Sequence, residues 1–294
     1  MAQANELKKQ YKKRTLAQET WRRLVKNPGA MLGLGFLVLL ILAAALSPFI
    51  FDYEVDVIGQ NMSERLMAPG AAHWFGTDEY GRDLFARVIY GARYSLIIGV
   101  GSVLLGLVVG TILGSQAGFH GGVIDSIIMR GIDIFYSIPN IMTAVVIVSL
   151  LGPSTVNLMI ALAFSCASSF ARIVRASVMT IRDQEYVESS YAMGLPTWKI
   201  IVKHILPNCL SPIIVQITLL IGTTIISASS LSFLGIGVPA PAPEWGALLS
   251  AGRGHIRDAS YMCIIPGLAI MFTVLALNLL GDGLRDALDP KMKK

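Results

Sequence analysis

The 294-residue chain is 54% hydrophobic and only 15% charged, with a mean hydropathy of +0.62 and a formal net charge of +5. Soluble domains carry about 25% charged residues, so this much apolar surface excludes a water-soluble globular fold and calls for lipid as solvent. The basic surplus does not indicate nucleic-acid binding, because the lysines and arginines flank apolar runs and build no soluble basic face.

A helix needs about 20 apolar residues to cross about 30 Å of hydrocarbon. Residues 30–51 carry no charge and reach about 33 Å as a helix. The run is too long, and starts too far in, for the apolar part of a cleaved signal peptide, although Ala43-Ala44-Ala45 imitates a cleavage site. It is therefore expected to be a retained first span. Residues 94–119 form a second uncharged run. Residues 134–171 are too many for one helix, and Gly152-Pro153-Ser154 divides them. A third span then ends near Leu151 and a fourth starts at Thr155. Residues 209–243 are again uncharged, but the Gly- and Pro-rich stretch from Gly235 to Pro243 cannot be regular helix. The fifth span is expected from about Ser211 to about Leu234, and residues 259–281 supply the sixth.

The expected fold is thus an all-α integral membrane protein of six transmembrane helices. Residues 1–29 would be a cytoplasmic segment, 30–51 the first span and 52–93 an external loop. Residues 94–294 would be a core domain with five spans and a cytoplasmic loop over about 173–208. Six spans put both termini on one side, and basic residues tell which side. The N-terminal segment (Lys8, Lys9, Lys12, Lys13, Arg14, Arg22, Arg23, Lys26), the loop (Arg172, Arg175, Arg182, Lys199, Lys203), the tail (Arg285, Lys291, Lys293, Lys294) and Arg130 hold 18 of the 24 basic residues. Both termini are therefore expected in the cytoplasm. Cys166, Cys209 and Cys263 are far apart, with neither disulfide nor metal spacing, and read as packing residues.

The external loop contains His73, Asp78, Glu79 and Asp83. They have no recognised ligand spacing, so a metal site is not expected. A structural role suits them better: Asp78 and Asp83 can cap turns or pair with Arg82 and Arg87, while Gly76 and Gly81 permit tight bends. Arg93 can snorkel at the outer end of helix two. In that helix Ser102, Gly106, Gly110, Gly114 and Gly118 lie four apart. This ridge lets another helix approach closely, either within the subunit or from a partner. No strand or Lys-Ser/Thr follows the glycines, so they are not a nucleotide loop. Arg130 and Asp133, at the foot of helix three, suit a local ion pair.

Helix five carries Gln216, Thr218, Thr223, Thr224, Ser227, Ser229, Ser230 and Ser232. Such hydroxyls either bond to their own backbone or line a pore. Gln216, Thr223, Ser227 and Ser230 are the pore-lining candidates. The spans hold no ionised residue at mid-depth, which argues against an ion-coupled secondary transporter.

The cytoplasmic loop reads as two short helices around Gly194, which suits a positive-φ position after a helix. Pro196 suits the first turn of the next helix, and Pro207 disturbs the chain before helix five. Tyr191, Ala192 and Met193 could fill a groove on a soluble partner or lie on lipid.

Glu188, Gly194, Leu206 and Pro207 fall on the pattern Glu-Ala-Ala, three residues, Gly, nine residues, Ile, one residue, Leu-Pro. Ser189 and Ser190 replace the alanines, and His204 the isoleucine. The loop thereby resembles that of permease subunits of binding-protein-dependent ABC importers. The external string Phe75-Gly76-Thr77-Asp78, Gly81-Arg82-Asp83, Arg87, Gly91-x-Arg93 and Ser95-Leu96 resembles the second permease of the dipeptide, oligopeptide and nickel importers. The resemblance implies a type I importer permease fold in the bacterial inner membrane. The segment from Glu188 to Pro207 would be the coupling loop docked on an ATPase subunit, one of two separate ATPase partners. A sister permease would complete the path, and a solute-binding protein would meet the external loop. Peptides would be the commonest cargo and nickel complexes a minority. No catalytic site and no cofactor are expected on this chain; ATP and magnesium would belong to the ATPase partners.

Overall fold

The computed structural model describes residues 16–288. The basic residues Lys8, Lys9, Lys12, Lys13, Arg14, Lys291, Lys293 and Lys294 lie outside the described residues. The described chain is helical, and its one isolated β-bridge joins Thr77 and Asp83.

Helix α1 (Leu16–Leu24) leads into α2 (Pro28–Ile50). Asn27 caps α2 by accepting from the Ala30 N–H at 3.1 Å, and Pro28 occupies the first turn, where its missing N–H costs nothing. Helix α3 (Leu84–His120) has 37 residues, about 55 Å of helix. It starts ten residues before the uncharged run, because the Asp83 carboxylate caps the Ala86 N–H at 2.9 Å. Arg87 then turns onto the loop and donates to the Val57 carbonyl at 2.8 Å, so its charge does not end the helix.

The third span is broken. Helices α4 (Gly122–Tyr136) and α5 (Asn140–Leu151) meet at 85°, where one helix from residue 134 was expected. The break falls at Pro139, which lacks an N–H and whose ψ of 131° is extended. Helix α6 (Thr155–Ile181) starts at a Ser154 cap, as the glycine-proline break implied. It continues ten residues past the uncharged run, so Arg172 and Arg175 sit in a helix and not in the following loop.

Two short helices, α7 (Glu185–Ala192) and α8 (Thr197–Ile200), follow. A π-helical turn (Ile201–Ile205) and a tight turn (Leu206–Cys209) carry α8 into α9 (Leu210–Phe233). Helix α10 (Trp245–Gly252) and helix α11 (Tyr261–Leu288) complete the chain. Among the described residues, five continuous helical stretches are long and apolar enough to cross a membrane, and the bent α4–α5 pair makes a sixth candidate.

The glycine ridge of α3 packs against α6 within the subunit. A Cβ on Gly106 would lie 2.4 Å from Cys166 Cβ, on Gly110 2.5 Å from the Ala167 carbonyl, and on Gly114 2.4 Å from the Ala171 carbonyl. Sequence numbers rise together along this seam, so α3 and α6 are parallel. Helix α9 runs the opposite way beside both, with Ile225 on Gly99 and Thr224 Oγ1 3.4 Å from Cys166 Sγ. Helix α11 closes the bundle against α9 and α2, with Gly281 on Thr218 and Gly33 on the Ala276 carbonyl. One end of the bundle, here the basal end, gathers the start of α2, the ends of α3, α6 and α11, and the α7–α8 loop. Leu24, Ala30 and Ala287 pack together there. The opposite, distal end carries residues 51–83, α10 and the start of α11. Large apolar side chains such as Leu32, Leu39, Phe49 and Leu150 point outward, as lipid-facing residues do.

Candidate functional site

The basal loop is a rigid stub with an apolar tip. Helix α7 ends in a complete Schellman motif: the Gly194 N–H donates to the Tyr191 carbonyl at 2.9 Å and the Leu195 N–H to the Ser190 carbonyl at 3.3 Å. Gly194 has φ +75°, and a Cβ there would meet nothing within 4 Å, so the demand for glycine is conformational and not steric. Pro196 sits one residue before α8 with φ −66° and acts as its N-cap residue, not as its first helical residue. Val187, Ile200 and Ile205 anchor the loop in a core with Phe170, Val174 and Val178 of α6. Tyr191 (62% exposed), Met193 (73%) and Trp198 (60%) are left free at the tip, beside the exposed Ala192.

The serines that replace the alanines of the family pattern spend their hydroxyls on their own helix: Ser189 Oγ donates to the Glu185 carbonyl at 2.7 Å and Ser190 Oγ to the Tyr186 carbonyl at 2.8 Å. Glu188 is exposed and, with Phe119, His120, Arg182, Asp183 and Tyr191, lines a pocket of about 440 Å³. Leu206 packs on the loop core, while Pro207 is exposed in the tight turn. Asn208 Nδ2 donates to Tyr186 Oη at 3.2 Å and ties α7 to the start of α9.

Above the loop, α4 is fastened to α6. Arg175 grips Asp125 with two nitrogens, Nη2–Oδ2 being 2.6 Å, and Arg172 Nη2 donates to Asp133 Oδ1 at 2.8 Å. Asp133 thus pairs across to α6, and not with Arg130 on its own helix as the i, i+3 spacing suggested.

A cleft of about 100 Å³ lies between α5, α6 and α9, lined by Asn140, Ser165, Ser169, Thr223, Thr224 and Ser227 among others. Thr223 and Ser227 of the pore candidates are there; Gln216 and Ser230 are not among its lining residues. Ser230 instead faces a groove bounded by Phe233, Leu249 and Ile270. Thr223 Oγ1 donates to the Leu220 carbonyl at 3.1 Å and Ser227 Oγ to the Thr223 carbonyl at 2.9 Å, which leaves their lone pairs toward the cleft. The sequence reading missed Asn140, Ser165 and Ser169; the four-residue spacing of the two serines on α6 was the available signal.

It also missed Glu244. The Pro-rich segment after α9 leads into α10, which packs against α3, α9 and α11. Glu244 is fully buried; its carboxylate accepts from the Ala247 N–H at 3.0 Å, Ser95 Oγ at 3.3 Å and Ser229 Oγ at 3.4 Å. Trp245 Nε1 donates to the Val88 carbonyl at 2.9 Å. The Glu-Trp-Gly triplet after the prolines was the signal.

At the distal end the Phe75–Asp83 string folds on itself. Asp78 accepts from Arg82 Nε at 2.6 Å and lies 3.6 Å from Arg87 Nε, all three side chains being buried. Thr77 Oγ1 donates to the Glu64 carbonyl and accepts from the Met67 N–H, and Tyr261 Oη donates to the Thr77 carbonyl at 2.9 Å. Gly76 and Gly81 have φ +77° and +73°; a Cβ on Gly81 would collide with the Asn61 carbonyl. Phe75 stacks edge-on against Phe85 at 5.0 Å. His73 is engaged by Asp83 at 2.7 Å, and Glu79 by His255 at 3.3 Å; no group of three or more metal-ligating side chains occurs among the described residues. Tyr53, Tyr90 and Tyr94 cluster beside this loop, and burial, helped by the Tyr94 hydroxyl, pushes the Tyr53 phenol up to about 12.

Comparison with known proteins decides what this bundle is. The family described as the binding-protein-dependent transport system inner membrane component matches residues 84–294. This chain belongs to that family. The N-terminal transmembrane domain of oligopeptide transport permease C matches residues 15–69. The dipeptide transport system permease protein DppC of Alkalihalophilus pseudofirmus is 46% identical over 276 residues, which cover 94% of this chain and 90% of that protein. The glutathione transport system permease protein GsiD of Pectobacterium atrosepticum is 43% identical over 95% of this chain and 93% of its own length. The DppC protein of Haemophilus influenzae is 43% identical over 96% and 97%. An inward-facing structure of the MetNI methionine ABC transporter shares the fold, with a TM-score of 0.57, 20% identity and coverage of 70% of this chain and 98% of that one. The chain is therefore a multi-pass inner-membrane permease subunit of an ABC importer. As a permease it works with ATPase and binding-protein partners and is not itself an enzyme.

Proposed function

We propose that this permease forms half of an import path for short peptides, driven through its basal loop. The single observation that carries the coupling reading is the Schellman-locked turn at Gly194, with Tyr191, Met193 and Trp198 exposed at its tip. The loop is anchored on α6 and α9, two of the three helices that line the cleft, so a push at the tip moves the cleft wall. The segment from Glu188 to Gly194, with Leu206 and Pro207, docks on an ATPase subunit that holds ATP and magnesium. A sister permease closes the path, and the distal loop, with Phe75 to Asp83 at its core, meets the solute-binding protein.

The chain crosses the membrane six times when the bent α4–α5 pair counts as one span, with both termini in the cytoplasm. Supporting this, α1, the end of α11 and the basal loop share one end, which also carries Arg22, Arg23, Lys26, Arg182, Lys199, Lys203 and Arg285. Peptide cargo is supported by relatives named for dipeptide and glutathione transport. It is also supported by a cleft whose polar groups are amide and hydroxyl, which suit the backbone that all peptides share.

The test is disulfide or maleimide cross-linking of Met193→Cys in the assembled importer. A cross-link to an ATPase subunit whose yield changes with ATP is expected. Its absence, with intact assembly, would remove the coupling assignment.

A further inference from the structure

On the flank away from the cleft, α2, α3 and the start of α6 enclose a groove of about 450 Å³. Its floor is Ala44, Ala45 and Gly101, its walls include Ile41, Ile97, Leu104 and Met159, and Arg93 stands at its distal mouth. The lining is apolar apart from that one cation. We propose that this groove binds an anionic phospholipid of the distal leaflet, one acyl chain lying in the groove and the phosphate on Arg93.

Three observations fit this occupant. The first is length: from Arg93 to Leu104 the groove follows α3 for eleven residues, about 16 Å at about 1.5 Å each, which is half of a hydrocarbon core of about 30 Å. The groove is one leaflet deep and ends where an acyl chain ends. The second is charge. Arg93 donates from Nη1 to Tyr90 Oη at 3.3 Å and stacks on that ring at 5.3 Å, and among the described residues no carboxylate lies within 4 Å of it. Most of its five donors remain for a phosphate, and the guanidinium fork matches that geometry. The third is depth: Arg93 lies over Tyr90, which contacts Tyr53 and Tyr94, and tyrosines of this kind mark the headgroup level. A partner helix would fit the groove less well. The groove is half a membrane long, and a lipid phosphate supplies the anion that Arg93 lacks.

The experiment uses the assembled importer, stripped of lipid in detergent and titrated with dioleoylphosphatidylglycerol or dioleoylphosphatidylcholine, with bound lipid counted by native mass spectrometry. Preference for the anionic lipid is expected. Arg93→Gln should bind phosphatidylglycerol about tenfold more weakly, the loss of one charge-assisted contact, with phosphatidylcholine unchanged. Ala45→Phe should fill the floor and abolish both; Ile97→Phe serves if the first variant does not assemble. Phosphatidylglycerol binding unchanged by Arg93→Gln, or by a groove-filling variant, overturns the proposal. A photoreactive benzoylphenylalanine at Ile97, irradiated in membranes, separates the occupants. A lipid-mass adduct supports the proposal, and an adduct to another polypeptide overturns it.

Discussion

Arg175 of α6 holds Asp125 of α4 with two nitrogens, and this pair joins the first helix of the bent α4–α5 pair to the helix that leads into the basal loop. The side chains are 30% and 16% exposed, so solvent screens part of the attraction. After that discount, a double-mutant cycle of Asp125→Asn and Arg175→Gln should give a coupling of about 1 kcal/mol. Thermal unfolding of the detergent-solubilised importer measures it. Strict additivity of the two losses would show that the pair contributes nothing.

Gly110 bears on the seam between α3 and α6. A Cβ there would lie 2.5 Å from both the Ala167 carbonyl and Phe170 Cβ, two groups that cannot swing away. Gly110→Leu should therefore cost at least about 3 kcal/mol or prevent folding, because the helices must separate. Gly35→Leu is the control, since nothing lies within 4 Å of its Cβ position. Retention of a single peak in size-exclusion chromatography after heating distinguishes the two.

These two cases mark how much of the molecule was legible in the sequence. The four-residue glycine period named the ridge, since in lipid only small residues allow so close an approach; it left open which helix lies opposite. The apolar runs gave the spans but misplaced their ends. The charges at Arg87, Arg172 and Arg175 suggest positions outside the helices, yet each guanidinium donates to a carboxylate or carbonyl distant in sequence. Pro139 was overlooked inside an apolar run that looked continuous. Glu244 was passed over because its partners, Ser95 and Ser229, are brought together only by folding.

At the distal loop, Asp78 lies against two buried arginines, Arg82 and Arg87. Asp78→Asn leaves those cations uncompensated, a change that costs about 3–5 kcal/mol at buried pairs. The loop over residues 51–83 should then become accessible to protease added from the outer face. Cleavage rates equal to those of the unaltered protein would show that the pair does not hold the loop.

Gly194 separates backbone need from space. Its φ of +75° costs an ordinary L-residue about 1–2 kcal/mol, and a β-branched one more, whereas asparagine tolerates it. In the complete importer, Gly194→Val should abolish peptide uptake and binding-protein-stimulated ATPase activity, while Gly194→Asn keeps most of both. Because no atom lies near the Cβ position, the variants should insert into the membrane equally well. Equal uptake by the valine and asparagine forms would separate the left-handed turn from coupling.

On the proposed function, this bundle moves solute only when ATPase subunits work on its basal loop. Uptake of a radiolabelled dipeptide into proteoliposomes tests it most directly, comparing the complete importer, the importer without its ATPase subunits, and this chain alone. Accumulation that requires ATP and occurs only with the complete importer is the expected result; accumulation by the chain alone, or without ATPase subunits, would contradict the account.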